Sequence, residues 1–170
     1  MTLRDAAATA AGWAVFMLAV PALMIALARF FPGGFLPGAR PALVIGALCS
    51  GCGLFLALWA NVALFKQGGG GAAVIGRIKL SSETKRLVTA GPYALCRNPM
   101  HLGLVLFYLG LSCAINSLCS LLVPALTLAW AYVFAICFDE PRLKRDFTED
   151  YARYSAQVPR LFPALRKRKF

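Results

Sequence analysis

Residues 91–103 read GPYALCRNPMHLG, setting a Gly-Pro turn, Arg97, an Asn-Pro pair and the chain's one histidine, His101, directly ahead of a long apolar run. Behind that run stands DEPRLKRDFTEDYARYSAQVPRLFP, which carries Glu140, Tyr151, Tyr154 and Arg160. These residue types suit recognition of charge. Arginine forks onto carboxylates and phosphates, glutamate holds ammonium groups, tyrosine rings face cations, and asparagine or histidine can hydrogen-bond a ligand. They do not assemble a nucleophile–base pair: Cys96 lies beside Arg97, but no base is placed to ionise it. Cys49-Ser50-Gly51-Cys52 is a CxxC inside an apolar run, with no second pair and no nearby histidine, so it reads as packing and no metal site is expected. The glycines at 68–71 lack the Gly-Lys-Ser/Thr ending of a phosphate-binding loop.

The elements that must position these groups follow from composition. The chain has 170 residues, 59% of them hydrophobic. Ala6–Ala28, Pro41–Phe65 and Asn98–Phe138 carry no formal charge. A spanning helix needs about 20 apolar residues, so the first two runs make one span each. The third is long enough for two, joined at Asn116-Ser117. The fold expected is an all-α integral membrane protein of one domain over 1–170. Its spans are placed at about 6–28, 41–65, 99–115 and 118–138, with a loop at 66–98 and a tail at 139–170. A cleaved signal peptide is the competing reading of the first run. That run is too long for one, and its small residues precede the bulky ones instead of following them. Pro21 is expected to kink the first helix. Gly46, Ser50, Gly53 and Ala57 are spaced to let another helix approach the second one closely.

The net charge is +11, and its distribution sets the orientation. Lys66, Arg77, Lys79, Lys85, Arg86 and Arg97 lie between the second and third runs, and further basic residues follow from Arg142 to Lys169. Only Arg29 and Arg40 flank the connection between the first two. Positive loops stay inside, so the middle loop, the tail and the N-terminus are expected in the cytoplasm. The basic residues then read as topology and contact with anionic membrane lipids, and nucleic acid is not expected as a partner. In the tail, Leu143, Phe147, Tyr151, Tyr154 and Val158 recur at helical spacing on one face. Such a helix either lies on the bilayer surface or packs its aromatic face as a lid over a membrane-edge site.

Two motifs carry a resemblance. LVTAGPYALCRNPMHLG resembles the GPYRYVRHPMYLG pattern of isoprenylcysteine carboxyl methyltransferases, and the DEPRLKRDF…VPRLFP stretch is similar to that family's C-terminal ending. The core NPMHLG, followed one hairpin later by FDEP, also looks like the corresponding motifs of phosphatidylethanolamine N-methyltransferases. The likeness covers roughly residues 60–163. It implies an integral membrane methyltransferase that uses S-adenosylmethionine at the cytosolic face, under a cap formed by the loop before the last hairpin and by the C-terminal segment. Carried over, it implicates Gly91, Pro92, Tyr93, Arg97, Asn98, Pro99 and Gly103 in the first motif. In the second it implicates Glu140, Pro141, Phe147, Tyr151, Tyr154, Pro159 and Arg160. Asn98 stands where histidine is frequent, His101 where tyrosine is usual, and Asp139 where the first glutamate of an acidic pair is usual.

On that resemblance Arg97 is expected to take the cofactor carboxylate, Glu140 its ammonium, and Tyr93, Tyr151 and Tyr154 its adenine or sulfonium. Asn98 and His101 would hydrogen-bond cofactor or substrate. Gly91, Pro92 and Gly103 are carried over as cofactor-binding residues, and Pro99 and Gly103 also read as geometric, starting the helix and allowing close approach. Arg97, Glu140 and Arg160 form the expected catalytic set. Arg97 and Arg160 read equally as anchors on lipid phosphates, and Glu140 as a structural partner of either. The substrate would be a lipophilic small molecule or lipid, methylated on oxygen, nitrogen or sulfur. Two alternatives remain at this stage: an NADPH-dependent sterol- or steroid-type membrane reductase, and a membrane relative without catalysis.

Overall fold

The computed structural model describes residue 12 and residues 14–69, 74, 75, 78, 79 and 84–163. The opening of the first expected span (residues 6–11 and 13), glycines 70 and 71, Arg77 and the basic residues after 163 lie outside the described residues. The first helix, α1 (Val20–Phe30), is entered through a π-helical turn at Val15–Ala19. Pro21 sits in its first turn. It cannot donate to the preceding turn, and the widened π turn there is the form its expected disturbance takes.

The chain returns through residues 31–38 into α2 (Ala39–Ala63), which continues as a π turn, Leu64–Gly68, and stops at Gly69 in the left-handed region. Two short antiparallel strands follow, β1 (Val74–Ile75) and β2 (Ile78–Lys79). A 3-10 turn at Gly91–Ala94 leads to α3 (Pro99–Ile115), with Asn98 as N-cap and Pro99 at the first helical position. Asn116, left-handed at φ 53°, ends α3. Its side-chain oxygen accepts from the amides of Phe35 and Leu36 at 2.9 and 2.8 Å, which ties the two outer turns together. A 3-10 turn (Leu118–Leu121) opens α4 (Leu122–Phe134). A π turn, Ala135–Asp139, then carries it without a break into α5 (Glu140–Gln157).

Among the described residues, two helices, Ala39–Gly68 and Leu118–Gln157, are long and apolar enough to cross a membrane, and two shorter apolar helices, Val15–Phe30 and Pro99–Ile115, accompany them. At 1.5 Å per residue the shorter pair reaches about 25 Å, against a hydrocarbon core of about 30 Å. The buried residues of α2 are all small: Ala42, Gly46, Gly53, Ala57, Ala60 and Ala63. Its large ones, among them Leu48, Phe55 and Leu58, point outward. Water would select the reverse; lipid selects this, since close backbone packing and not apolar burial drives association there.

The α2–α3 contact is backbone on backbone. A Cβ on Gly103 would stand 2.6 Å from Ala57 N and Gly53 O, and one on Gly46 2.6 Å from Ala114 N. Ser50 Oγ donates to Phe107 O at 3.1 Å and Cys49 Sγ to Leu106 O at 3.4 Å, so the first cysteine of the CxxC serves this contact. Both cysteines of that motif are free thiols. The α5 face identified in the sequence is buried in protein: Tyr151, Tyr154 and Val158 form a cluster with Leu87, Leu143 and Phe147. Its docking surface is the loop ahead of α3.

Candidate functional site

Backbone geometry brings the two motifs together. Gly91, at φ 64°, opens the 3-10 turn that buries Tyr93. Tyr154 Oη donates to Tyr93 O at 2.7 Å. The amide of Arg97 donates to Pro159 O at 2.8 Å, and the amide and Nδ2 of Asn98 both donate to Arg160 O at 3.1 Å. The N-terminal end of α3 is therefore latched to the end of α5.

Inside this latch lies a charge cluster. Arg160 donates from Nε to Glu140 Oε1 at 2.5 Å and from Nη2 to Oε2 at 3.2 Å. Arg97 Nη1 lies 3.2 Å from the same Oε1 and donates to Tyr151 Oη at 2.9 Å. Burial alone would raise the pKa of the Glu140 carboxyl; the hydrogen bonds from Arg160 and the charges of both arginines outweigh it and hold it below the usual carboxylate range. Two guanidinium groups against one carboxylate leave one positive charge over, and Arg97 Nε is buried without a hydrogen-bond partner. Tyr151 lies under the Arg97 guanidinium, 5.9 Å from it, and Tyr132 lies 5.0 Å from that of Arg160.

Beside the cluster opens a pocket between the end of α2, residues 84–93, the start of α3 and the α4–α5 junction. Tyr93, Arg97, Asn98, His101, Asp139 and Tyr154 line it. The π turns at Leu64–Gly68 and Ala135–Asp139 deliver Leu64 and Asp139 to its wall, as such irregular turns do at many sites. Asp139 lies past the apolar stretch of α4. Burial pushes its carboxyl up to about 6, with Glu140 adding to the shift and Arg142 opposing it. His101 is buried edge-on against Trp130 at 5.2 Å and packs on Phe134 at 5.7 Å. Burial pushes the Cys96 thiol up to about 11, which leaves it unreactive at neutral pH.

The sequence-derived residues thus separate into groups. Tyr93, Arg97, Asn98, His101 and Tyr154 face the pocket; Glu140, Arg160 and Tyr151 hold Arg97 from behind. Gly91 and Pro92 shape the turn, and Gly103 lies in the α2–α3 contact, away from the pocket lining. Glu140, expected to hold an ammonium, is occupied by two guanidinium groups, and the acid open to the pocket is its neighbour Asp139. Arg86 and Arg142 also line the pocket, and no motif marks them as site residues; their one visible signal in the sequence is their charge at a membrane edge.

Residues 41–150 match the model of the family described as phospholipid methyltransferase. The chain is 32% identical over 129 residues to the cobalt-zinc-cadmium resistance protein CzcN of Cupriavidus metallidurans, covering 72% of this chain and 59% of that protein. To the nickel-cobalt-cadmium resistance protein NccN of Alcaligenes xylosoxydans xylosoxydans it is 31% identical over 131 residues, covering 72% of this chain and 60% of that one. It spans about three-fifths of the length of these relatives. No solved structure matches. With the family match running from α2 into the first half of α5, over more than half of the chain, the chain belongs to the phospholipid methyltransferase family.

Proposed function

We propose that this chain is an integral membrane methyltransferase that takes S-adenosylmethionine at the cytosolic membrane edge and methylates a lipophilic or amphiphilic acceptor. The observation that carries this reading is the latch, which fixes Arg97 and Asn98 at a pocket, lined also by Asp139, at the end of an apolar helix bundle. A water-soluble cofactor and a bilayer-held substrate can meet only at such an edge. The donor set fits the cofactor: the surplus positive charge and unpartnered Nε of Arg97 suit its carboxylate, and Asp139 its ammonium. Tyr93 and Tyr154 offer flat, buried surfaces beside them.

Bound there, S-adenosylmethionine supplies a methyl group activated by its sulfonium. The protein's own contribution is position and dryness. The Glu140–Arg160 pair fixes the Arg97 fork, the aromatic face of α5 closes the pocket from one side, and the helices keep water from the other. The apolar exterior supports a membrane bundle of four spans, and the basic residues of the middle loop and tail favour both termini in the cytoplasm.

Titration calorimetry of the full chain in detergent tests the reading. S-adenosylmethionine or its demethylated product is expected to bind, and labelled methyl is expected to pass into a lipid extract. Binding of NADPH instead would favour the reductase, and binding of neither would leave a non-catalytic relative.

A further inference from the structure

His101 is the one pocket residue that the cofactor reading leaves without a task. It is 8% exposed, one turn into α3 beyond Asn98, and its ring nitrogens make no hydrogen bond to any described residue. They are not sealed off, because the fully enclosed unpartnered polar atom among the described residues is Arg97 Nε. The imidazole therefore opens into the pocket it lines. On its other side two rings pack on it directly, Trp130 at 5.2 Å and Phe134 at 5.7 Å, and Trp130 is 41% exposed on the apolar exterior. An apolar molecule arriving from the bilayer past Trp130 meets His101.

We propose that His101 is the proton acceptor for a methyl acceptor bearing an acidic X–H group, a thiol or a phenol on an apolar carrier. The proposal rests on the methyltransferase reading and names the substrate class of that same site. A carboxylate acceptor is already ionised and needs no base, so an imidazole would be idle opposite it. An aliphatic hydroxyl is too weakly acidic for imidazole to help much, whereas thiols and phenols, at about 8.5 and 10, lie within its reach. The step balances. The acceptor's X–H pair forms the new X–CH3 bond as its proton passes to an imidazole nitrogen. The methyl–sulfonium bond breaks, and its electrons return to sulfur, leaving neutral thioether and imidazolium.

Among the other titratable groups facing the pocket, the arginines and tyrosines are poorer candidates. Arg86, Arg97 and Arg142 carry no lone pair at neutral pH. Burial pushes the hydroxyls of Tyr93 and Tyr154 upward, so neither is ionised to act as base. Asp139 is the rival, since Phe138 beside it packs on Phe134 at 5.1 Å; the Arg142 charge already engages its carboxyl, and the test below separates the two groups.

The test uses the full chain in lipid nanodiscs with matched probes: decanethiol, 4-octylphenol, 4-octylthiophenol and decanoate. Wild type is expected to methylate decanethiol or octylphenol and not decanoate. His101→Gln is expected to lower kcat for that probe by about 10²-fold, the low end for general-base catalysis, with KM and binding of the demethylated cofactor unchanged. Octylthiophenol is already ionised at neutral pH, so its rate is expected to fall far less. His101→Tyr, the residue usual in the resembling motif, guards against misfolding and is expected to show the same pattern. Equal losses for ionised and un-ionised thiols, an unchanged decanethiol or octylphenol rate, preference for decanoate, or transfer to no probe by protein that binds cofactor would each overturn the inference. So would an Asp139→Asn variant that shows the selective loss in place of His101→Gln. Failure to bind cofactor at all would instead refute the methyltransferase reading beneath it.

Discussion

Glu140 holds two arginines at once, with its own side chain 11% exposed and that of Arg97 12%. Removing the one negative charge leaves two neighbouring cations without compensation, which for a buried pair costs about 3–5 kcal/mol. Glu140→Gln is therefore expected to unfold earlier in detergent and to bind cofactor more weakly; wild-type stability with weak binding would make Glu140 a ligand and not a clamp. Arg97→Ala leaves Glu140 its Arg160 partner, so it is expected to insert normally and to lose about 1.5–3 kcal/mol of cofactor affinity, read by calorimetry. Unchanged affinity assigns Arg97 to lipid anchoring. Asp139 gives a pH signature of the opposite sign to Glu140. Its folded pKa of about 6 lies above the ordinary carboxylate value, so the folded state binds more protons between the two, and stability falls as pH rises through that window. Glu140, depressed, loses its contribution only as pH falls below the ordinary range. Between about pH 4 and 6 the Asp139 contribution thus makes the thermal midpoint fall with pH in wild type relative to Asp139→Asn, in which that fall is expected to be absent. The sequence marked the Asp139-Glu140 pair but not which member meets the pocket. Successive helical residues point about 100° apart, and the π turn ending at Asp139 shifts that phase by an amount no periodicity reveals.

Elements were more legible than roles, and the reason is the solvent. Uncharged runs, the Asn116-Ser117 break, the small residues of α2 and the aromatic face of α5 all follow from local patterns, and each has its counterpart in the structure. The junction of α4 and α5 was less legible. The change from apolar to charged residues at Asp139 suggests a separate tail, yet Pro141 in the first turn of α5 is compatible with helix, and nothing before it breaks the backbone. Charge marks where lipid ends, not where helix ends. The α2–α3 contact yields a sharp test. A methyl group on Gly103 would meet main-chain atoms of Gly53 and Ala57, which cannot rotate away. Gly103→Ala is expected to destabilise by about 1–3 kcal/mol, the usual range for overpacking, measured as a lower unfolding temperature in detergent. Gly51→Ala, on α2 but with nothing within 4 Å of the added methyl, is the control and is expected to be neutral or slightly stabilising.

At the scale of the whole molecule, the fold sorts charge to one end. Lys66 at the end of α2, Lys85 and Arg86 in the following loop, Arg97 before α3 and Arg142, Lys144, Arg145 and Arg160 on the last segment cluster around the latch and pocket. Arg29 closes α1 and Arg40 opens α2 at the other end, where Asn116 joins the outer turns. From that asymmetry and the positive-inside rule we propose that the pocket end faces the cytoplasm, where a soluble cofactor is present. Single introduced cysteines test it. Gln67 is exposed and helical, a better position than Gly69, whose φ of 67° would strain a side chain. Gly33, where an added Cβ would have nothing within 4 Å, serves at the opposite end. A membrane-impermeant maleimide applied to intact cells is expected to modify Gly33→Cys and to reach Gln67→Cys only after permeabilisation. Cys49, Cys52, Cys113 and Cys137 lie in apolar helical segments and Cys96 is wholly buried, so they interfere little; Cys119, in the outer 3-10 turn near Gly33, is first replaced by alanine. Modification of Gln67→Cys from outside would reverse the bundle. It would also set the Arg97 pocket where no cytosolic cofactor reaches it, so orientation and proposed function fall together on that result.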